Sequence, residues 1–129
     1  MGNRIGKRRG HASVLCLYGQ LGSGKTTFAQ GFAKGLGITT RLLSPTFIIV
    51  RRYPLIERIG FLYHIDLYRL GSNEDLRELG LSEMLADPDS VVLVEWAEKL
   101  GELLPKNRVD VRFSVFGDGE HHVSICKMS

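Results

Sequence analysis

Residues 19–26 read Gly19-Gln20-Leu21-Gly22-Ser23-Gly24-Lys25-Thr26. The spacing matches the phosphate-binding loop, or P-loop, whose pattern is G-x-x-x-x-G-K-[ST]. Glycines let the backbone approach a phosphate chain closely, and backbone N–H groups at the start of a helix solvate its negative charge. The motif therefore predicts a nucleotide-binding site between a strand and a helix.

Positions in and after the motif have expected contacts with a nucleoside triphosphate. Lys25 is expected to reach the β and γ phosphates, the Thr26 hydroxyl to ligate Mg²⁺, and Thr27 to donate near the α-phosphate. Lys25 is also expected to be exposed, so that its replacement leaves the fold intact. The remaining nucleotide-binding positions are expected to be Leu21, Gly22, Ser23 and Gly24.

The residues on both sides of the loop fit the order of strand, loop and helix. Residues 12–18 are a short apolar run that predicts a buried parallel strand. After the loop, apolar residues recur on one helical face, and Gly37 is placed to cap the helix end. The residues of that face are Phe28, Ala29, Phe32, Ala33 and Leu36.

The middle of the chain predicts two strands and a helix. Residues 46–50 and 61–70 are rich in β-forming residues and read as neighbouring strands, separated by a polar segment with Pro54 and Gly60. Residues 72–85 then predict a helix with a polar cap and an acidic first turn, interrupted by Gly80.

The rest of the chain completes an α/β pattern. Residues 90–96 predict a second buried strand ending in an acid, 97–104 a short helix, and 108–116 with 121–126 a β-hairpin. No repeat or linker interrupts the pattern. We therefore expect one P-loop NTPase-like domain over residues 1–129, with a mostly parallel sheet flanked by helices and extended by antiparallel strands.

Acids at strand ends are the candidates for metal binding and water activation, which a P-loop alone does not supply. Glu95 ends the apolar run 91–94 and is expected in the crevice outside the carboxyl end of its strand. Asp66 is the second candidate, and the period of a strand places it on one face with His64 and Tyr68. His64 is interpreted as a hydrogen-bonded core histidine rather than as a catalyst.

Trp96 is the only tryptophan of the chain and directly follows Glu95. A tryptophan after a buried strand is commonly a packing residue. Its place beside a candidate metal ligand is equally compatible with the rim of the site, and both interpretations stay open.

Composition excludes several classes of protein. Hydrophobic residues make up 43% and charged residues 24%, which is typical of a globular domain rather than a disordered chain. The apolar runs at 14–18 and 91–94 are far shorter than the roughly 20 residues of a membrane-spanning helix. We expect no membrane partner and a cytoplasmic location.

Charge and cysteine usage add little evidence for a special partner. The net charge is +3, and the basic clusters at 4–9 and 51–52 are interpreted as solvated surface rather than an RNA-binding stripe. Cys16 and Cys126 each fall within a predicted strand, which favours buried, reduced thiols over a disulfide or a metal site.

Three further stretches carry a resemblance to a known family. They are Ser44-Pro45-Thr46-Phe47, His64-Ile65-Asp66-Leu67-Tyr68-Arg69-Leu70 and Glu95-Trp96-Ala97-Glu98. Together with the P-loop, and in this order, they make the chain closely resemble the TsaE family, P-loop ATPases of bacterial tRNA threonylcarbamoyladenosine (t6A) biosynthesis. The resemblance covers about residues 5–105 and is far more specific than the P-loop pattern by itself.

The resemblance implies a function in tRNA modification. ATP and Mg²⁺ would be the cofactors, and ATP hydrolysis would support a TsaB–TsaD partner complex. That complex installs the threonylcarbamoyl group on adenosine 37 of tRNAs that read ANN codons. The chain itself would not transfer the group, and its contact with tRNA would be indirect.

The resemblance also implies roles for individual residues. Lys25 and Thr26 would serve the phosphates and the metal, and Glu95 would bind the metal. Asp66 and Trp96 would be needed for turnover or for its coupling to the partner. The segment 44–47 would act like a switch, since a proline restricts the residue before it to extended geometry.

Two stretches depart from the family pattern. The family usually has a Thr-bearing polar segment and a helix that help enclose the base, of which only the end near Ile5-Gly6 is expected here. In the last hairpin the family often has an arginine close to the adenine, whereas His121 and His122 follow Glu120 in this chain. Recognition of the base is therefore the part of the resemblance with the least support.

Other functions share a P-loop. A small-molecule kinase would need a substrate-binding insertion and an arginine-rich lid after Glu95, neither of which the sequence contains. A GTPase would need an Asn-Lys-x-Asp motif, which is absent. A nucleotide-dependent binding module would bind ATP and dock a partner without turnover, and the sequence does not separate this alternative from an ATPase.

Overall fold

The computed structural model describes residues 12–19, 24–38, 50–56, 58–68 and 79–129 of the chain. Strands and helices alternate through most of these residues, as an α/β fold requires. In chain order they are β1 (Ser13–Tyr18), α1 (Lys25–Gly35), β2 (Val50–Pro54), β3 (Phe61–Asp66), α2 (Leu81–Ala86), β4 (Val91–Glu95), a 3₁₀ segment (Ala97–Leu103), β5 (Arg108–Val115) and β6 (His121–Met128).

The strands form one mixed sheet in the order β2-β3-β4-β1-β5-β6. β3, β4, β1 and β5 are parallel neighbours, whereas β2 and β6 pair antiparallel at the two edges. The carboxyl ends of the four parallel strands therefore meet at one edge of the sheet. This arrangement confirms the predicted fold class.

Helices cover both faces of the sheet, because side chains alternate between the faces along each strand. One face packs against α1, and the other packs against α2 and the 3₁₀ segment. The first core includes Leu15, Leu17, Ala29, Ala33, Leu62, Val91, Leu93, Val111 and Phe113. The second core includes Val14, Cys16, Ile65, Leu81, Val92, Val94, Ala97 and Leu100.

Both ends of α1 follow from the sequence. Gly24 caps the start in a left-handed conformation, with φ of 105°, which a residue with a side chain rarely adopts. At the other end Gly37 has φ of 86°, its N–H donates to Lys34 O, and the N–H of Ile38 donates to Ala33 O, each at 3.0 Å. The predicted helix and its glycine cap are confirmed.

The predicted position of the second strand is wrong in part. Residues 46–49 lie outside the described residues, and β2 runs through the segment that was expected to separate two strands. Arg51, Arg52 and Pro54 belong to it because β2 is an edge strand. One side of such a strand faces away from the sheet, so charged residues and a terminal proline are tolerated there.

Three other elements differ in extent from their predictions. β3 ends at Asp66, where the side-chain Oδ1 accepts a hydrogen bond from the N–H of Tyr68 at 2.9 Å and turns the chain. Of the predicted helix 72–85, residues 72–78 lie outside the described residues, and α2 starts after a left-handed Gly80. The predicted helix 97–104 is a 3₁₀ segment kinked at Gly101.

The two cysteines have different environments. Cys16 is buried in β1, as predicted, whereas Cys126 is exposed and the prediction of a second buried thiol is wrong. The reason is that β6 is an edge strand whose side chains are almost all exposed. Among the helices that the structure describes, none has the length and apolar character needed to cross a membrane.

Candidate functional site

The crevice at the carboxyl ends of β1, β3 and β4 brings together Lys25, Asp66, Glu95 and Trp96. Leu17 of β1 pairs in register with Glu95 of β4, which pairs with Asp66 of β3. The chain leaves β1 at Gly19 and returns as α1 at Lys25. Parallel sheets bind ligands at such an edge, where strand ends and a helix start converge.

Lys25 lies deep in this crevice. Its side-chain Nζ donates to the carbonyl oxygen of Gly19 at 2.6 Å and lies 4.3 Å from the centroid of the Trp96 ring. Only 4% of Lys25 is exposed, so the expectation of an exposed lysine is wrong. The side chain folds back onto the loop entrance and is covered by the indole, an arrangement worth up to about 2 kcal/mol for a desolvated cation.

Much of the P-loop falls outside the described part of the chain. Residues 20–23, which include the expected nucleotide-binding positions Leu21, Gly22 and Ser23, belong there, and the side chain of Thr26 is not described either. The phosphate and metal contacts of these residues stay predictions. Thr27 is exposed on the first turn of α1. The segment 44–47 also lies outside the described residues.

Asp66 and Glu95 lie on the sheet face that α1 covers. They are register partners, and each stands an even number of residues from a core residue of that face, Leu62 on β3 and Leu93 on β4. Glu95 is only 6% exposed, whereas Asp66 is half-buried. The two predicted acids therefore stand side by side at the crevice.

The surroundings disfavour the charged form of Asp66. Burial raises the pKa of its carboxyl above the ordinary value, and the nearby charge of Glu95 raises it further. The hydrogen bond from the N–H of Tyr68 and the electrostatic effects of His64 and Lys25 lower the pKa but do not offset the rise. A positively charged group bound beside the two carboxylates would favour the charged form of Asp66 and lower its pKa.

His64 is hydrogen-bonded to Glu95. Its Nε2 lies 2.7 Å from Oε2 of that carboxylate, and both side chains are buried. An ionised carboxylate only accepts, so the proton of this bond is assigned to Nε2. The buried Nδ1 has no partner among the described residues.

The prediction of a hydrogen-bonded core histidine is confirmed, but its partner could not be read from the sequence. His64 and Glu95 are 31 residues apart and meet only because β3 and β4 are neighbours. The one sequence signal was period two, which placed His64 on the face of Asp66.

Trp96 packs against the core beside β4, which confirms the packing interpretation, whereas its place at the rim of a nucleotide site stays a prediction. Within the described residues it is the only residue other than glycine with positive φ, at 60°. Such backbone costs on the order of 1–3 kcal/mol in a bulky residue. Its ring contacts Tyr68 at 5.1 Å between centroids and covers the Nζ of Lys25.

The carboxylates of this crevice suit Mg²⁺ held together with a nucleotide. Within the described residues, no group of three or more His, Cys, Asp and Glu side chains is arranged to hold a metal. Mg²⁺ in nucleotide sites is commonly bound by one or two carboxylates plus phosphate oxygens. Glu95 and Asp66 are side by side near Lys25, and they fit that donor set.

The last hairpin turns at the same edge of the sheet, because β5 is parallel to β1 and its carboxyl end leads into β6. His121 and His122 are exposed on β6, and the ring of His122 packs against Phe116 at 4.1 Å between centroids. His122 Nε2 also lies 3.1 Å from Glu120 Oε1.

Comparisons with known proteins agree with one another. A family model described as "Threonylcarbamoyl adenosine biosynthesis protein TsaE" matches residues 1–122. The chain is 43% identical over 111 residues to "tRNA threonylcarbamoyladenosine biosynthesis protein TsaE" of Bacillus subtilis, covering 86% of this chain and 67% of that protein. A protein of the same description from Treponema pallidum is 36% identical over 124 residues, covering 96% and 89%.

A solved structure shares the fold. The crystal structure of Bacillus subtilis YdiB superposes with a TM-score of 0.71 at 38% sequence identity, covering 91% of this chain and 69% of that one. The family match, the identities to these relatives and the common fold together show that the chain belongs to the TsaE family, a family of tRNA threonylcarbamoyladenosine biosynthesis.

Proposed function

We propose that the chain binds ATP with Mg²⁺ and hydrolyses ATP to ADP and phosphate in support of t6A formation. The hydrolysis of ATP would support a TsaB–TsaD complex, which modifies adenosine 37 of tRNAs that read ANN codons. The observation that carries the proposal is one crevice with three components. Lys25 at the start of α1, the carboxylate pair of Asp66 and Glu95, and the Trp96 ring over the lysine all lie there.

The proposal includes a role for each residue of the site. Lys25 leaves the carbonyl of Gly19 and neutralises the β and γ phosphates. Glu95 and the Thr26 hydroxyl would hold the metal, and Asp66 would orient the attacking water. Bound Mg²⁺ supplies the positive charge that stabilises the developing negative charge on the phosphates. Leu21, Gly22, Ser23 and Gly24 would offer backbone N–H groups to the phosphates, and Thr27 would donate near the α-phosphate.

The proposal includes the partner and the setting. The transfer of the threonylcarbamoyl group is assigned to TsaB–TsaD, and contact with tRNA is indirect. The isolated chain is expected to turn over slowly, because Lys25 is engaged by Gly19 and Trp96 until the site reorganises. Membership of a tRNA-modification family supports a cytoplasmic location.

Phosphate release measured in three arms tests the proposal. The arms contain the chain with ATP and Mg²⁺ alone, with candidate small-molecule acceptors, and with TsaB–TsaD and tRNA. Slow release alone that rises only with the partner complex is expected. Stimulation by an acceptor, with transfer of phosphate to it, would make the protein a kinase. Tight binding with no release in any arm would make it a binding module.

A further inference from the structure

His64 lies two residues before Asp66 on β3, and its side chain hydrogen-bonds Glu95 from a position nearer the middle of the sheet. His64 pairs in register with Leu93, one side-chain position before the Asp66–Glu95 pair. Its Nε2 lies 2.7 Å from Glu95 Oε2, with 1% of His64 and 6% of Glu95 exposed. The bond therefore lies between the core and the crevice.

We propose that His64 is a positioning residue for the nucleotide site, holding the Glu95 carboxylate in the orientation that receives Mg²⁺. The inference rests on the proposed nucleotide function and adds to it a residue that orients the metal ligand. Groups that hydrogen-bond a metal ligand fix its orientation, and their loss weakens metal binding even though they never touch the metal.

The surroundings make His64 the group that controls this carboxylate. A glutamate side chain has three rotatable bonds, and burial leaves Glu95 little water as an alternative partner. Within the described residues His64 is the only side chain that hydrogen-bonds Glu95. The Nδ1 of His64 has no partner there, so the imidazole is not bridging Glu95 to another polar group of the described core.

Two substitutions separate the hydrogen bond from the volume of the ring. In His64→Gln the side-chain amide keeps an N–H donor at a similar reach, whereas His64→Leu keeps apolar volume without a donor. Binding of ADP is measured by calorimetry in EDTA and across a Mg²⁺ titration, and single-turnover hydrolysis of ATP is followed with partners present.

The expected effect falls on the metal rather than on the nucleotide. His64→Leu should raise the Mg²⁺ concentration for half-maximal tightening of ADP binding by about 10- to 100-fold. Binding of ADP in EDTA should stay within about twofold of wild type, and His64→Gln should recover most of the Mg²⁺ response. The single-turnover rate at saturating ATP should fall, with little change in the ATP concentration that gives the half-maximal rate.

Several results would overturn the inference. A wild-type Mg²⁺ response in folded His64→Leu would mean that Glu95 does not depend on His64. A defect as large in His64→Gln as in His64→Leu would assign the effect to packing. Wild-type protein without any Mg²⁺-dependent nucleotide binding would remove the proposed function and this inference together, whereas the first two results remove this inference alone.

A second measurement is made on the wild-type protein. A long-range proton–nitrogen correlation spectrum of isotope-labelled wild-type protein reports which imidazole nitrogen carries the proton. The chain has four histidines, and the His64→Gln spectrum assigns the signal where that variant folds. Otherwise, the signal is identified by its solvent-protected N–H. The Nε2–H tautomer is expected, and an Nδ1–H tautomer would contradict donation to Glu95.

Discussion

At the scale of residues, Lys25 is a buried cation at the start of α1. Lys25 holds its charge between the carbonyl dipole of Gly19 and the face of the Trp96 ring. Both partners compensate for lost water without neutralising the charge. A triphosphate that displaced them would offer full negative charges instead, which is the stronger interaction.

Replacing Lys25 by alanine should therefore weaken binding of ATP with Mg²⁺ by more than about tenfold, or about 1.4 kcal/mol. Because the lysine is buried, we also expect a loss of about 1–2 kcal/mol in the free energy of unfolding. Calorimetric titration and denaturant unfolding measure the two effects. Lys34→Ala, on the exposed last turn of the same helix, is the control. Wild-type affinity in folded Lys25→Ala would remove the P-loop assignment.

Glu95→Gln should keep nucleotide binding and lose hydrolysis, since the amide retains the shape of the side chain but not the charge that holds the metal. Single-turnover hydrolysis with partners present, together with ADP binding, measures both. Glu102→Gln, at an exposed position of the 3₁₀ segment, should behave as wild type. Hydrolysis by Glu95→Gln at the wild-type rate would exclude Glu95 from the mechanism.

The raised pKa of Asp66 predicts that the free energy of unfolding depends on pH. Its pKa is raised in the folded protein, mainly by burial, so the folded state binds the proton more tightly than the unfolded state. The charge of Asp66 therefore destabilises the fold above the raised pKa, and this penalty disappears as the pH falls below the ordinary pKa. Asp66→Asn removes the charge but keeps an oxygen to accept from Tyr68.

We expect Asp66→Asn without nucleotide to have a higher melting temperature than wild type at about pH 7, with the difference shrinking toward about pH 3. Hydrolysis should fall in the same variant. Thermal unfolding of both proteins across this range tests the sign. A lower melting temperature of Asp66→Asn at neutral pH would show that the charged carboxyl stabilises the fold.

At the scale of elements, β4 and the backbone that leaves it organise the crevice. β4 is buried along its whole length and is flanked by β1 and β3, so the position of Glu95 is fixed by the core. The left-handed backbone of Trp96 then turns the chain sharply and brings the indole over Lys25. Strain at this residue is compensated by ring contacts that a smaller side chain would not make.

The elements also explain which parts could be predicted from sequence. β1, the P-loop and α1 are encoded locally, by an apolar run, glycines at fixed spacing and a helical face. The predicted position of β2 was wrong in part because an edge strand needs no apolar pattern. The burial of Lys25 and the bond between His64 and Glu95 depend on which strands become neighbours. No local pattern records that adjacency.

At the scale of the whole molecule, helices on both faces of the sheet bury its central strands and leave the edge strand β6 exposed. Cys16 lies in the central strand β1, and burial, with the charge of Asp110 adding, raises the pKa of its thiol to about 12. Cys126 lies on the exposed edge strand β6. The reactivities of the two thiols therefore report on the burial of the central strand and on the exposure of the edge strand.

We expect a thiol reagent to modify Cys126 quickly in the native protein and Cys16 only after unfolding, because the thiolate is the reactive form and burial withholds it. Mass spectrometry of the protein after brief labelling should find one adduct, which Cys126→Ser abolishes. Two rapid adducts under native conditions would contradict the layered packing around β1.

Fluorescence of Trp96 tests most directly whether one crevice unites the lysine, the acids and the nucleotide. The chain has a single tryptophan, and its ring lies 4.3 Å from the Nζ that would leave to meet the phosphates. ATP with Mg²⁺ should shift or quench the emission with saturation, and more than ADP with EDTA, while Lys25→Ala should not respond over the same concentrations. An unchanged spectrum at saturation, with binding established independently, would place the nucleotide away from Trp96 and contradict the site.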